Sequence, residues 1–480
     1  MKWNLIDRVG TQVLYAVTGF VLAAVLPRVD FGIVGAALVF QAFASLLVDS
    51  GFSYALIQRK KPTHLDYSTV LWFNIALAVI LYGILYVSAP WIADIFQGDQ
   101  RLIPISRVLF LAIILNASAI VQTNRLMKRM DVRMVAVSNS IGLAIGGIVG
   151  ITLALTGFGA WAIVWQTLTT AAVKSLILWT TSHWRPLLQF SWASLKSYFG
   201  IGSKMMFTSF LNTLFLNIYS IFIGHFVNLG VLADYTQADK WSKMGVTSIT
   251  QMLTSSFLPA LSAMQDAAER FAAMVSKMNR FTSYVAFPFL IGLMLMATPI
   301  FHALFGTKWD QAIILFQLLI FRGMFVVFTS LYNNYILALG HGSSIVRLEI
   351  IRDSAAAIAL AVTFPFMTLS TPESPVYGIE IMLWGQIAAA VITWLITLIS
   401  AARRTGIPAM RYIVDMLPYL AQTIVIVPIM YIAAQAFESP WLQLGVEAII
   451  GISLYLIGNT IFGSKIQKDV FAYFRGRKLA

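Results

Sequence analysis

The sequence has no cysteine among its 480 residues, which excludes disulfide bonds and any site that needs a thiolate. Charged residues are also scarce, at 11%, whereas about a quarter of a soluble protein is charged. The five histidines lack the spacing of metal ligands, which argues against a metal site. Hydrophobic residues make up 59% of the chain, and the mean hydropathy is +0.80. Apolar segments of about 20 residues recur throughout, so the sequence predicts a polytopic helical membrane protein.

The apolar segments predict an all-α fold with about fourteen transmembrane helices and short loops. The predicted spans are 9–27, 32–57, 68–95, 102–123, 134–156, 158–181, 199–225, 231–264, 280–305, 311–339, 345–369, 376–400, 411–437 and 441–463. A basic and aromatic segment after the sixth span is amphipathic enough to lie at the membrane interface. The predicted domains are an N-lobe over 1–182, this linker over 183–198, a C-lobe over 199–400, and two further spans with a basic tail over 401–480.

The net charge of +13 is concentrated in alternate loops. Basic clusters such as 59–61, 125–133, 270–280 and 403–411 lie on one side of the predicted membrane, and the other side carries few basic residues. By the positive-inside rule, the loops 57–67 and 124–133 and both termini are predicted to be cytoplasmic. This pattern explains the positive charge without a nucleic-acid partner.

Polar and charged residues recur at helical spacing inside several predicted spans, where they are costly and usually face an interior cavity. Cations outnumber carboxylates on these stripes, so we predict a shared hydrated cavity for an anionic substrate, with phosphate as the obvious candidate. The candidate ligands of a substrate diphosphate are Arg322, Lys204, Lys243, Lys240 and Lys174. Other candidates for polar or ion-coupling roles in the cavity are Asp49, Gln41, Asp239, Arg8 and Asn212.

Each stripe has an alternative interpretation as ordinary hydrogen bonding between helices. That alternative is weakest for Arg322, because a guanidinium near the middle of a span needs water or an anion. Lys174 and Lys204 lie nearer the predicted cytoplasmic ends, from which their ammonium groups could extend to the interface. Asp49 could pair with either lysine, carry a coupling proton, or contact loop amides at the end of its helix.

Glycines at positions 142, 146 and 150 are spaced four residues apart within the fifth predicted span. Small residues at this spacing let two membrane helices approach closely. We therefore expect these glycines to pack against a neighbouring helix.

The stretch 31–72 closely resembles the N-terminal signature of Wzx-type lipid-linked oligosaccharide flippases. The branch is that of colanic acid and lipopolysaccharide exporters, within the multidrug/oligosaccharidyl-lipid/polysaccharide (MOP) exporter superfamily. The matching pieces are Phe31-Gly32, Asp49-x-Gly51-Phe52, the run from Ala55 to Arg59, and the start of the third span from Leu65 to Trp72. The segments "SSFLPALSAMQDAAERF" at 255–271 and "ILALGHGSSIVRLEI" at 336–350 also resemble this family. The similarity extends over nearly the whole chain.

The resemblance implies two six-helix lobes in a V around a central cavity, as in MATE transporters, plus two extra C-terminal helices. It implies flipping of undecaprenyl-diphosphate-linked repeat units, for O-antigen or exopolysaccharide biosynthesis, from the cytoplasmic to the periplasmic leaflet of the bacterial inner membrane by alternating access. For such a transporter we expect no cofactor, coupling to H⁺, Na⁺ or the membrane potential, and polymerase or chain-length machinery as partners. In related lipid II flippases, the extra helices form a groove for the lipid tail. The cavity arginines of those flippases do not align with the first span here.

Two other functions remain as alternatives. The first is a MATE-like drug or cation antiporter of the same superfamily, whose cavity would favour carboxylates and aromatic residues over arginine and lysine. The second is a membrane polymerase or ligase acting on the same glycolipid. Such an enzyme needs a constellation of catalytic residues, and the short outward loops show no paired acids or Ser/His/Asp set.

Overall fold

The computed structural model describes residues 2–49, 52–265, 267–371 and 374–474. Within these ranges the structure is helical throughout, without a strand, which confirms the predicted all-α class. The helices are α1 (Lys2–Val25), α2 (Arg28–Asp49), α3 (Phe52–Gln58), α4 (His64–Ile95), α5 (Leu102–Leu109), α6 (Leu111–Lys128), α7 (Val132–Leu155), α8 (Trp161–Thr181), α9 (Trp192–Phe226), α10 (Leu229–Ser262), α11 (Ala268–Leu295), α12 (Ala297–Phe305), α13 (Asp310–Ala338), α14 (Gly342–Thr363), α15 (Tyr377–Thr405), α16 (Ala409–Ala434), α17 (Pro440–Ile461) and α18 (Lys465–Phe474).

Each of the fourteen predicted spans corresponds to one helix or to a broken pair of helices. Ten helical segments of the described chain are long and apolar enough to cross a membrane, and the pair α11–α12, bent by 59°, makes eleven. The other three predicted spans correspond to α1, α10 and α14. The apolar part of α1, Gly10–Val25, is short, and α10 and α14 carry charged residues in their interiors. The number of fourteen spans therefore remains a prediction.

The chain divides into two compact units, Met1–Thr236 (unit 1) and Gln237–Ala480 (unit 2). In unit 1, α7 packs closely against α8 through the predicted glycine stripe. A Cβ atom added to Gly146 would lie 2.0 Å from Thr170 Oγ1, and one added to Gly150 would lie 2.8 Å from Gln166 Cβ. Only a residue without a side chain allows this approach, so the prediction of close glycine packing is confirmed.

The predicted linker is attached to the start of α4, and α9 already begins within it. A capping box starts α4, because Thr63 Oγ1 accepts a hydrogen bond from the Asp66 amide and Asp66 accepts one from the Thr63 amide. Beyond this turn, the Trp72 indole donates to the Leu187 carbonyl at 2.8 Å, and the Leu187 amide donates to Ser68 Oγ at 2.9 Å. Side chains of α4 thus satisfy the backbone of the non-helical part of the linker, residues 183–191.

The other end of unit 1 is held by α2 and the first turns of α10. A Cβ atom on Gly32 would lie 2.0 Å from the Leu229 carbonyl oxygen, so the two backbones are almost in contact. Beside this crossing, Arg28 Nη2 lies 2.5 Å from the fully buried carboxylate of Asp234. The ion pair therefore joins helices that are distant in the sequence.

Unit 2 has a buried aromatic core where α13 meets α16. Tyr332, Tyr335 and Tyr412 are buried there, and the rings of Tyr332 and Tyr412 pack edge to face with centroids 5.4 Å apart. The break between α11 and α12 falls at Met296, just before Pro299. Proline fits the first turn of a helix, where its missing N–H breaks no intrahelical hydrogen bond, so Pro299 is compatible with a helix that starts at Ala297.

Candidate functional site

The candidate site in unit 2 centres on Arg322, about halfway along α13. Arg322 Nη1 donates a hydrogen bond to Gln386 Oε1 of α15, a helix packed alongside. Gln386 is buried, and Arg322 is half-buried. The partner is a neutral amide, so the guanidinium charge is not compensated by this contact.

Both members of this pair keep hydrogen-bonding capacity. Arg322 Nε and Gln386 Nε2 are buried, and neither has a hydrogen-bond partner within the described parts of the chain. Buried donors are normally satisfied, so unpaired ones indicate a place for water or a ligand. Aromatic contacts fix the helices around them, since Phe321 packs against Trp384 and Phe325 against Trp394. The arrangement suits an anion, because guanidinium can hold two oxygens of a phosphate at once.

The polar stripe of α10 is largely satisfied within its own helix. Lys243 Nζ lies 2.5 Å from Asp239 Oδ2, four residues earlier. Thr247 Oγ1 and Thr254 Oγ1 donate to carbonyls one turn earlier. Lys240 lies over the ring of Trp241, with Nζ 4.7 Å from its centroid. Lys243 therefore has its own counter-charge, and the surplus of positive charge is smaller than the residue count indicated.

The polar stripe of α8, formed by Gln166, Thr170 and Lys174 at four-residue spacing, lies at a helix interface. A Cβ atom on Gly142 would be 3.0 Å from the Thr170 carbonyl and 3.3 Å from Lys174 Cβ. The carbonyl oxygen of Thr170 and the Cβ atom of Lys174 thus face the glycines of α7. This placement fits the structural interpretation of Thr170, and it leaves phosphate binding by Lys174 as a prediction.

The other candidates are dispersed over unit 1. Asp49 is exposed at the end of α2 and accepts a hydrogen bond from Ser53 Oγ of α3, which fits a helix-end contact. Gln41 is half-buried, and its Oε1 has no hydrogen-bond partner within the described parts of the chain, whereas Asn212 is exposed on α9. Arg8 and Lys204 belong to α1 and α9, but their side chains lie outside what the structure describes.

A second feature of unit 2 is an apolar groove of about 400 Å³ between α11, α16 and α17. Its lining includes Val285, Phe289, Leu293, Ile426, Met430 and Ile452. At one end the Tyr284 and Tyr455 rings are 5.4 Å apart, and Tyr455 Oη donates to the Tyr284 carbonyl at 2.9 Å. From Tyr284 to Met296 the groove follows α11 for about 18 Å, given the 1.5 Å rise per residue.

Two functional candidates were not identified from the sequence, Gln386 and Glu447. Glu447 lines the apolar groove, is 3% exposed, and has an Oε2 atom without a hydrogen-bond partner among the described residues. Each is a polar residue inside an apolar helix, and that signal was available in the sequence. In the described ranges no three His, Asp or Glu side chains are grouped as a metal site requires.

Known proteins resemble this chain in sequence over most of its length. A family model described as "Polysaccharide biosynthesis protein" matches residues 21–314. The succinoglycan biosynthesis transport protein ExoT of Rhizobium meliloti is 25% identical over 359 residues, covering 75% of this chain and 72% of that protein. The lipopolysaccharide biosynthesis protein WzxC of Escherichia coli is 26% identical, covering 67% and 66%. The teichuronic acid biosynthesis protein TuaB of Bacillus subtilis is 27% identical, covering 62% of each.

Solved structures resemble the chain in fold. The lipid II flippase MurJ, in an inward closed conformation, superimposes with a TM-score of 0.74 at 15% identity, covering 95% of this chain and 98% of that one. An inward-facing multidrug resistance MATE family transporter of the MOP superfamily gives a TM-score of 0.61 at 18% identity, covering 82% and 96%. At these identities the likeness shows the fold alone. The predicted MATE-like fold of a multi-pass membrane protein is thereby confirmed.

Proposed function

Because the chain belongs to the polysaccharide biosynthesis protein family, whose model matches more than half of it, we propose that it is a lipid-linked oligosaccharide flippase. It moves undecaprenyl-diphosphate-linked repeat units from the cytoplasmic to the periplasmic leaflet of the bacterial inner membrane. Relatives named for succinoglycan transport, lipopolysaccharide biosynthesis and teichuronic acid biosynthesis support a surface polysaccharide precursor as the substrate. The same matches confirm the resemblance to polysaccharide exporters.

The observation that carries the proposal is the guanidinium of Arg322 in mid-span, whose hydrogen-bond partner among the described residues is a neutral amide. A diphosphate and its sugars cannot cross hydrocarbon unaided, because burying an unpaired charge is very costly. A fixed cation inside the membrane lowers that cost by pairing with the phosphate oxygens. Gln386 orients the guanidinium and leaves its Nε donor unpaired among the described residues. Arg322 is therefore the first choice as the phosphate ligand, with Lys204, Lys243, Lys240 and Lys174 as helpers.

The apolar groove supports contact with lipid, because its lining is almost wholly apolar and suits a lipid chain better than a sugar. The head group itself is carried by a polyprenyl lipid. The tail can stay in hydrocarbon while the head group crosses, so that only the polar part needs a hydrated path. Alternating access by rocking of two lobes would supply that path.

The proposal includes orientation, energy source and partners. Both termini are cytoplasmic by the loop-charge asymmetry. Transport is coupled to H⁺, Na⁺ or the membrane potential without a cofactor, and the product passes to polymerase or chain-length machinery. The chain lacks cysteine, so single cysteines at the exposed positions Lys61 and Gln100 report orientation directly. We expect a membrane-impermeant thiol reagent to label position 100, but not position 61, from the periplasm.

The antiporter and the glycolipid polymerase or ligase remain the competing functions. A drug or cation antiporter would share the fold, but a cationic mid-span residue such as Arg322 repels cationic drugs. Expression in a drug-sensitive host separates the two, because an antiporter raises resistance and a flippase does not. Polymerase or ligase activity is tested by incubating the purified protein with glycolipid and looking for longer saccharides.

The direct test is flipping of a short undecaprenyl-diphosphate glycolipid by purified protein in liposomes. We expect Arg322→Ala to lower affinity or rate tens- to hundreds-fold, because losing a desolvated charge-assisted contact costs roughly 2–4 kcal/mol. Arg322→Lys should be a poor substitute, since lysine cannot form the bidentate contact. Gln386→Ala should weaken flipping less, because the cation remains.

Lys61→Ala is the matched control, since it removes one positive charge from an exposed loop. It should flip at the wild-type rate. Normal flipping by a well-folded Arg322→Ala/Lys204→Ala double variant would contradict the proposed phosphate site, although not the family membership.

A further inference from the structure

Unit 2 contains a second cavity, the basic pocket, of about 770 Å³. It lies where the N-terminal halves of α11 and α16 meet the start of α18. Its ionisable lining consists of five basic residues and two acidic ones, besides Tyr419: Lys277, Arg280, Arg411, Lys465, Lys468, Asp415 and Asp469. None of the candidate phosphate ligands Arg322, Lys204, Lys243, Lys240 and Lys174 belongs to it.

Two ion pairs give the basic pocket a fixed frame. Arg280 Nε lies 2.6 Å from Asp415 Oδ1, which joins α11 to α16, and Asp415 is buried. Lys277 Nζ lies 2.7 Å from Asp469 Oδ2, which joins α11 to α18. Both acids are therefore already neutralised by cations of α11.

The other three cations have no counter-charge among the residues that the structure describes. Arg411, Lys465 and Lys468 are exposed, and none of them has an acidic partner within the ranges that the structure describes. Three like charges around one cavity repel each other unless an anion lies between them. The basic pocket thus has the electrostatics of an anion site with its frame already formed.

The basic pocket continues directly into the apolar groove. Along α11 the lining passes from Lys277 and Arg280 to Tyr284 and Pro288, at the spacing of one helix face. The rings of Tyr284, in the groove, and Tyr419, in the pocket, pack edge to face at 5.9 Å. A cationic cavity joined end to end with an apolar channel matches the two parts of an anionic lipid.

We propose that the basic pocket binds the phosphate of an anionic phospholipid whose acyl chain lies in the apolar groove. The phospholipid is the favoured occupant because α16 and α17 expose apolar residues beside the groove, among them Val425, Ile449 and Ile452 at 62–68%. Bilayer lipid can therefore enter sideways. The starts of α11 and α16 are predicted to be cytoplasmic, and basic pockets between membrane helices on that side bind anionic head groups.

The test measures binding of a fluorescent phosphatidylglycerol to the purified full chain in neutral detergent. The competitors are phosphatidylcholine with the same chains, inorganic phosphate and a short prenyl diphosphate. The pocket variant is Arg411→Gln/Lys465→Gln/Lys468→Gln. The control is Lys60→Gln/Lys61→Gln/Arg129→Gln, which removes the same charge from exposed positions of unit 1. Ala448→Phe narrows the groove without touching the charges.

We expect phosphatidylglycerol to bind at least tenfold more tightly than phosphatidylcholine, and more weakly in high salt. The pocket variant should lose about a hundredfold in affinity, since each basic residue near an anionic lipid contributes roughly fivefold. The control variant should bind phosphatidylglycerol like wild type. Ala448→Phe should weaken binding although it elutes from size-exclusion chromatography at the wild-type position. Glycolipid flipping, measured separately, distinguishes failure at this site from failure of the proposed function.

Four results would overturn the assignment. Equal binding of the two phospholipids, or equal losses in the pocket and control variants, would show that the pocket does not select anionic lipid. Competition by inorganic phosphate as strong as by phosphatidylglycerol would make it a free-anion site. Saturable binding of the prenyl diphosphate alone would assign the pocket to the transported lipid instead.

Discussion

Gly146→Ala tests the packing of α7 on α8. The added Cβ would lie 2.0 Å from Thr170 Oγ1 and 2.8 Å from the Gln166 carbonyl oxygen, where ordinary contact begins at 3.4 Å. The threonine hydroxyl can rotate away, but the carbonyl belongs to the backbone of α8, so the helices must separate by several tenths of an ångström. Overpacking of this kind costs about 1–3 kcal/mol, and alanine recovers about 0.5–1 kcal/mol through helix propensity. We expect a net destabilisation of about 1–2 kcal/mol.

The measurement is the thermal unfolding midpoint in detergent, followed through the thirteen tryptophans at one fixed scan rate. Gly83→Ala is the control, because this exposed glycine of α4 has nothing within 4 Å of the added Cβ. It should leave the midpoint unchanged or raise it. The double variant Gly146→Ala/Thr170→Ala should recover part of the loss, since the carbonyl contact remains. A Gly146→Ala midpoint equal to that of Gly83→Ala, or no coupling to Thr170, would refute the reasoning.

Three other predictions concern unit 1. Lys128 Nζ caps the end of α3 by donating to the carbonyls of Leu56, Ile57 and Arg59. Lys128→Ala should therefore lower the free energy of unfolding by about 1.5–3 kcal/mol, measured through the unfolding midpoint. An unchanged midpoint would contradict this capping role. Arg28→Ala leaves the buried Asp234 carboxylate unpaired and should lower the free energy of unfolding by about 3–5 kcal/mol. The double variant Arg28→Ala/Asp234→Asn should restore most of this loss. Additive losses from the two substitutions would argue against the ion pair. The side-chain hydrogen bond from Arg101 lowers the pKa of Asp99, so this contact stabilises the protein above the unfolded pKa of about 3.9 and is lost as the pH falls through the folded pKa. The midpoint difference between wild type and Arg101→Gln should therefore be present at pH 7 and narrow below about pH 4; a difference independent of pH would exclude this origin.

The class of the protein and its helical segments follow from the sequence alone. Inside a bilayer every backbone polar group must be satisfied internally, so each long apolar segment has to be a helix wherever it packs. The same local logic predicted the glycine contact between α7 and α8, because three glycines at four-residue spacing share one helix face. The span 2 signature from Phe31 onwards also indicated the family, which the family model and the relatives confirm.

The partners of the polar side chains were decided by tertiary structure. Spacing shows which residues share a helix face, but not which neighbouring helix that face meets. Arg322 meets Gln386, 64 residues away, and the Lys174 stripe meets the glycines of α7. The pairing of Lys243 with Asp239 lies within one helix, and it was the one ion pair of the stripe that i, i+4 spacing could have revealed.

The basic pocket is the feature that could be predicted least from the sequence. Its cations come from three helices, and Arg280 and Asp415 are 135 residues apart. Loop charges predicted that these residues share the cytoplasmic side, because that rule depends only on the order of spans. Their convergence around one cavity depends on how α11, α16 and α18 pack together, and packing is a property of all the contacting side chains at once.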